Sequence, residues 1–102
     1  MFGTVARVSV QPGKESEFVA IGKQWTQERG EQTHQVAGFV FKLDEKPGDF
    51  MIVAVFRDRA SYEANAQDPE TDRWFRQMRE TLAADPERHD GEVVEADILG
   101  GI

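Results

Sequence analysis

Two apolar runs, VAGFVFKL at residues 36–43 and FMIVAVFR at residues 50–57, flank the segment Lys46-Pro47-Gly48-Asp49. No other feature limits this chain so strongly. Both runs are rich in Phe and Val, which suit a pleated strand, and Pro-Gly combines a fixed with a permissive backbone in one tight reversal. Two strands joined by so short a turn pair antiparallel. The chain must therefore be built around a central hairpin, and the flanking segments decide the rest.

Before the hairpin, residues 2–10 (FGTVARVSV) alternate around Phe2, Thr4, Ala6, Val8 and Val10, which predicts a strand stopped by Gln11-Pro12-Gly13. From Lys14 to about Arg29 the period lengthens. Phe18, Ile21, Gly22 and Trp25 fall on one helical face, and Gly30 is placed to end the helix. After the hairpin, Asp58 or Ser61 can cap a helix through Tyr62 to Ala66. Asp68-Pro69-Glu70 interrupts it, and Pro69 suits the first turn of a further helix carrying Trp74, Phe75, Met78 and Leu82 on one stripe. Asp85-Pro86 ends that helix, and EVVEADIL at 92–99 reads as a last strand. The order β-α-β-β-α-β predicts an α+β, ferredoxin-like fold: an antiparallel sheet with helices on one face, in a single domain over residues 1–102.

A chain of 11.5 kDa folds to roughly 5,800 Å² of surface from about 16,700 Å², enough for one thin core. Its net charge of −7 repels phosphate backbones and anionic lipid, so neither nucleic acid nor membrane is an expected partner. The absence of cysteine removes thiolate chemistry and Cys-ligated metal sites. His34 and His89 stand 55 positions apart with no metal-ligand spacing, so no metal and no cofactor is expected. Both read as solvated loop residues. Ser9 and Ser61 lie in no nucleophile motif, and no phosphate loop occurs. With no basic stretch leading into an apolar run at the N-terminus, a cytoplasmic location is expected.

The third strand is apolar on both sides, with Phe50, Ile52, Ala54 and Phe56 on one face and Met51, Val53 and Val55 on the other. Val36 and Val40 extend the second set. Helices can cover only one face, and each aliphatic side chain left in water forgoes roughly 1.5–3 kcal/mol. A second copy of the chain is the expected cover, giving a homodimer.

A strand ending in PGK, a helix with a central Trp, AGFVFKL, a hairpin and FRDRASYEANAQDP ahead of a helix together resemble the antibiotic-biosynthesis monooxygenase family. The similarity runs over about residues 2–99 and is most specific from Phe56 to Pro69. It implies a dimeric α/β barrel with helices outside and a small hydrophobic pocket in each subunit. Some members oxidise polycyclic phenols to quinones with molecular oxygen and no cofactor, and others degrade haem. The quinone-forming members carry an Asn and a Trp on the third strand, where this chain has Ile52 and Phe56. Their Tyr and Arg on the following helices correspond to Tyr62 and Arg76. The haem-degrading pattern would need a His near Phe75 or Arg76, and none stands there, nor do Ala6 and Asn65 match its Asn and Trp.

Tyr62 and Arg76 are thus the candidate catalytic residues, with Phe39, Phe41, Ile52, Phe56, Asn65 and Trp74 as candidate substrate-binding walls. Each has an ordinary alternative: Tyr62 as a ring that caps the core, Asn65 as a helix-end residue, Arg76 as one charge of a salt-bridged helix, Trp25 and Trp74 as core. Arg7 and Arg57 read as edge or interface charges. Two functions follow: a cofactor-independent monooxygenase acting on a small aromatic phenol or quinol, or a non-catalytic domain that binds a small aromatic or hydrophobic ligand.

Overall fold

In the computed structural model, which describes residues 1–100, the elements run β1 (Phe2–Ser9), α1 (Glu15–Arg29), β2 (Gln35–Lys42), β3 (Asp49–Phe56), α2 (Arg59–Gln67), α3 (Pro69–Arg79) and β4 (Glu87–Glu92). The four strands form one sheet in the order β2-β3-β1-β4, antiparallel throughout. This is the α+β, ferredoxin-like arrangement expected from the pattern, with the second helical region divided in two. No helix among the described residues is long and apolar enough to cross a membrane.

Local chemistry explains the joints. Gly48, at φ 89°, supplies the left-handed residue of the hairpin turn, and its carbonyl accepts from the Val10 N–H at 2.8 Å, tying the turn to β1. The Asp58 carboxylate caps α2 by accepting from the Ser61 N–H at 2.7 Å. Asp68 ends α2 and caps α3, accepting from the Glu70 N–H at 2.9 Å, with Pro69 in the first turn. Gly30 stays right-handed at the end of α1, and it is His34 that turns left-handed, at φ 60°. Arg7 is no edge residue. It lies on a central strand and holds the buried Asp49 at 2.9 Å, with the Ser9 hydroxyl donating to the same carboxylate. Arg57 pairs with Asp58 at the end of β3.

Hydrogen bonds from Ser61, first through its hydroxyl and then its backbone N–H, hold the Asp58 carboxyl down at about 2. A depressed carboxylate stabilises the fold fully above its unfolded pKa, and that contribution is lost as pH falls through the folded value. Urea midpoints should therefore decline between about pH 4 and pH 2, and Asp58→Asn should flatten part of that decline. Equal slopes in the two proteins would contradict the cap's role.

Side-chain size along the strands divides the core in two. On the helix-covered face β1 presents Phe2, Thr4, Ala6 and Val8, paired in register with Phe56, Ala54, Ile52 and Phe50 of β3. Large residues sit at both ends and small ones in the middle. One cluster joins Val8, Val10, Phe18, Phe50 and Leu82; the other joins Phe2, Phe56 and Tyr62. The Phe18 and Phe50 rings meet at 5.1 Å, and Tyr62 packs on Phe2 and Phe56 at 5.1 and 5.5 Å. Between the clusters Gly38 is paired with Ala54, so the floor of the sheet is low there and the helices stand above an open space.

Further expectations require correction. Helix α3 ends at Arg79, short of Asp85-Pro86, which leaves Leu82 outside the helix. The last strand is Glu87–Glu92, not 92–99. Leu82 bridges to Val10, and the Ala83 N–H donates to the Ser9 carbonyl, so the chain joins β1 earlier and runs antiparallel along it from Glu87. The residues beyond it leave Val94, Ile98 and Leu99 81–90% exposed. On β2, Phe39 pairs with Val53 and Phe41 with Met51, while Val40 pairs with Ile52. Paired residues in an antiparallel ladder share a face. Phe39 and Phe41 thus lie on the helix-free side and Val40 on the helix side, the reverse of the alternation expected, with a register shift at Gln35/Ala37.

Candidate functional site

The space above Gly38 and Ala54 is a cavity of about 420 Å³ lined mainly by apolar groups. That is within the usual size of a small-molecule site. Its walls come from every helix. Val19, Gly22 and Trp25 contribute from α1, Tyr62 and Asn65 from α2, and Trp74, Phe75 and Met78 from α3. No residue of α3 is fully buried. Its apolar stripe faces the cavity, and Met78 also packs against the cluster around Phe18 and Phe50. Trp25 and Trp74 meet edge to face at 6.0 Å, and the Trp25 indole N–H donates to Gln35 Oε1 at 3.3 Å.

One end of the cavity is polar. The Tyr62 hydroxyl donates to Asp90 Oδ1 at 2.8 Å, and Arg88 Nε lies 3.5 Å from the same oxygen. Thr4 is in register with Asp90, and its hydroxyl donates to the His89 carbonyl at 3.2 Å. Burial, and then the hydrogen bond to the carboxylate, push the Tyr62 phenol above its ordinary value. Burial also draws Asp90 upward, but the neighbouring Thr4 hydroxyl, the hydrogen bond from Tyr62 and the charge of Arg88 outweigh it, leaving that carboxyl below the usual range. At neutral pH the pair is a neutral phenol donating to a carboxylate.

Of the residues singled out from the sequence, Phe39, Ile52, Phe56, Tyr62, Asn65 and Trp74 all line the cavity. Phe39 does so from the edge strand, with its ring on the far face by register. Phe41 is not part of the lining. Asn65 Oδ1 accepts from the Thr71 hydroxyl at 2.6 Å, closing the joint between α2 and α3. Arg76 stands apart, exposed and ion-paired with Asp72 one turn back. At 100° per residue it lies about 200° around α3 from Trp74, on the side away from the cavity. Thr4, Lys23, Arg88 and Asp90 were not anticipated. Three of these four are charged, and two belong to a strand whose ERHDGE sequence has neither alternation nor β-branched residues to announce it. Among the described residues no group of three or more His, Asp or Glu is placed to hold a metal ion.

The family model for antibiotic biosynthesis monooxygenase matches residues 1–77. Among solved structures, the chain is similar to a candidate antibiotic biosynthesis monooxygenase from Caulobacter crescentus CB15, with a TM-score of 0.81 and 17% identity over 92% of this chain and 90% of that one. It is also similar to a conserved protein from Methanosarcina mazei Go1, with a TM-score of 0.78 and 20% identity over 88% and 89% of the two chains. A mutant of SnoaB, a cofactor-independent oxygenase from Streptomyces nogalater, has a TM-score of 0.79 and 15% identity over 93% and 94%. At such identities the likeness speaks for the fold alone. No curated protein matches the sequence.

Proposed function

The chain belongs to the antibiotic biosynthesis monooxygenase family, and from that premise we propose that it is a cofactor-independent monooxygenase acting on a small aromatic phenol or quinol. The observation that carries this reading is the Tyr62 hydroxyl at the polar end of an otherwise apolar cavity of about 420 Å³. The reaction asks little else of the protein. A phenol gives up its O–H and one ring C–H hydrogen, one atom of O₂ becomes the new quinone oxygen, and the other leaves with both hydrogens as water. The four electrons that reduce O₂ come from the substrate. An apolar cavity excludes water, Trp25 and Trp74 offer flat walls, the Tyr62 oxygen takes the hydrogen bond of the phenol, and Arg88 meets the oxygen on which charge develops.

Oxygen uptake with a panel of polycyclic phenols and hydroquinones tests the proposal. Tyr62→Phe is expected to lower it at least about 10-fold, the low end for losing one acid–base partner. No uptake by the wild type with any member of the panel would sink the catalytic reading. Binding of those compounds without turnover would favour the second reading, a ligand-binding domain without chemistry. Ile52 and Phe56, which stand where the quinone-forming relatives are expected to carry Asn and Trp, favour that alternative.

The helix-free face supports a homodimer. Val5, Phe39 and Phe41 are 42–52% exposed on it, around the half-buried Met51, Val53 and Val55. The surface of the chain is 7110 Å², against roughly 5,800 Å² for a compact monomer of this mass. The exposed segment after β4 accounts for part of the difference, and it is the apolar face that supports a dimer. A face repeated on an identical copy is self-complementary about a two-fold axis.

A further inference from the structure

Four hydroxyl-bearing residues line the cavity, and the hydroxyl of each donates its proton to the protein. Thr4 donates to the His89 carbonyl, Thr26 to the Gly22 carbonyl, Thr71 to Asn65 Oδ1 and Tyr62 to Asp90 Oδ1. For Tyr62 this polarity is forced. An ionised carboxylate only accepts, so a phenol 2.8 Å away must point its hydrogen at it. Asp90 is kept ionised by its neighbours, and Tyr62 keeps its proton. The Tyr62 oxygen therefore turns its lone pairs, not its hydrogen, toward the cavity.

We infer that the cavity recognises its ligand through a hydrogen bond that the ligand donates to Tyr62 Oη, and that Asp90 is the positioning residue that sets this polarity. The ligand class is then an aromatic hydroxyl compound in preference to the corresponding quinone or ether. Arg88, also in the lining, donates. An aromatic hydroxyl is suited to both partners, since its hydrogen meets Tyr62 and its oxygen can accept from Arg88. A quinone carbonyl can satisfy Arg88, Asn65 or Trp74, but it sets lone pair against lone pair at Tyr62. This deepens the proposed oxidation and rests on it only for the ligand class. Conversion of a phenol to a quinone removes the one hydrogen that Tyr62 accepts, so the product is held less tightly than the substrate.

Anaerobic calorimetric titration tests this without turnover, with 1-naphthol, its methyl ether and 1,4-naphthoquinone as probes. The wild type should bind 1-naphthol about 10-fold more tightly than either of the others, the order expected for one hydrogen bond. Asp90→Asn should collapse or reverse that preference, because its amide N–H can donate to Tyr62 and free the phenolic hydrogen to face the cavity. Tyr62→Phe reads the polarity independently of Asp90. It should weaken 1-naphthol about 10-fold and leave quinone binding unchanged or tighter. Weaker quinone binding in Tyr62→Phe would mean that Tyr62 donates to the ligand, and would overturn the inference. So would equal wild-type affinity for the three probes, a failure to bind any of them, or a preference that survives in Asp90→Asn. Because oxygen uptake is not the readout, a protein that selects naphthol but does not oxidise it would support this inference while refuting the catalytic one.

Discussion

Phe50→Ala is expected to destabilise the fold by about 3–5 kcal/mol, the range for removing a buried aromatic ring. Phe50 is 4% exposed and lies 5.1 Å from the Phe18 ring, in the cluster that also holds Val8, Val10 and Leu82. That cluster joins β1, α1 and β3 and the segment after α3, and closes this end of the sheet. Domains of this size are stable by only about 5–15 kcal/mol in total, so the loss is a large fraction of the whole. With a urea dependence of about 1–3 kcal/mol per molar, the midpoint should fall by roughly 2 M. A shift under about 0.5 M would mean that the opposite cluster, around Phe2, Phe56 and Tyr62, carries most of the stability.

Val53→Lys should convert a dimer into a monomer or an aggregating protein. Val53 sits at the centre of the helix-free face, paired with Val5 on one side and Phe39 on the other. In a two-fold contact through this face the two new ammonium groups would be brought together and taken out of water without partners, which costs several kcal/mol per charge. The dissociation constant should rise by at least about 100-fold, since each 1.4 kcal/mol is worth a factor of ten. Sedimentation equilibrium measures it directly. A wild-type protein that sediments as a monomer at micromolar concentration would end the homodimer reading. Circular dichroism of the variant separates loss of the interface from loss of the fold.

The candidate site was half legible in the sequence. Ile52, Phe56, Tyr62, Asn65 and Trp74 could be placed because each lies on an element whose period was visible, and the face of an element follows from its period. Arg76 lies on such an element too, on the side of α3 that carries its ion pair with Asp72. Asp90 and Arg88 were illegible for a different reason. They lie on an edge strand of charged residues, where pairing with β1 and not side-chain preference makes the strand. Charges along an edge also discourage pairing with further chains, so the composition that hides the strand suits its position.

Local features were legible in the chain itself: turns from Pro-Gly pairs, helix starts from Asp58 or Ser61 and from Pro69, and strands from alternating apolar residues, because each depends on a few neighbours and a fixed geometry. The antiparallel hairpin and the helix-covered face followed from those. Register, by contrast, is settled only in the assembled sheet. A slip of one residue between β2 and β3 exchanges Phe39 and Phe41 for Val40 across the sheet, and the apolar residues on both sides of these strands left either choice open. Register also sets Thr4 beside Asp90 and Gly38 beside Ala54, so the cavity and its polar end arise from contacts between segments distant in sequence. The energies that settle them belong to the pairs formed, which no single segment contains.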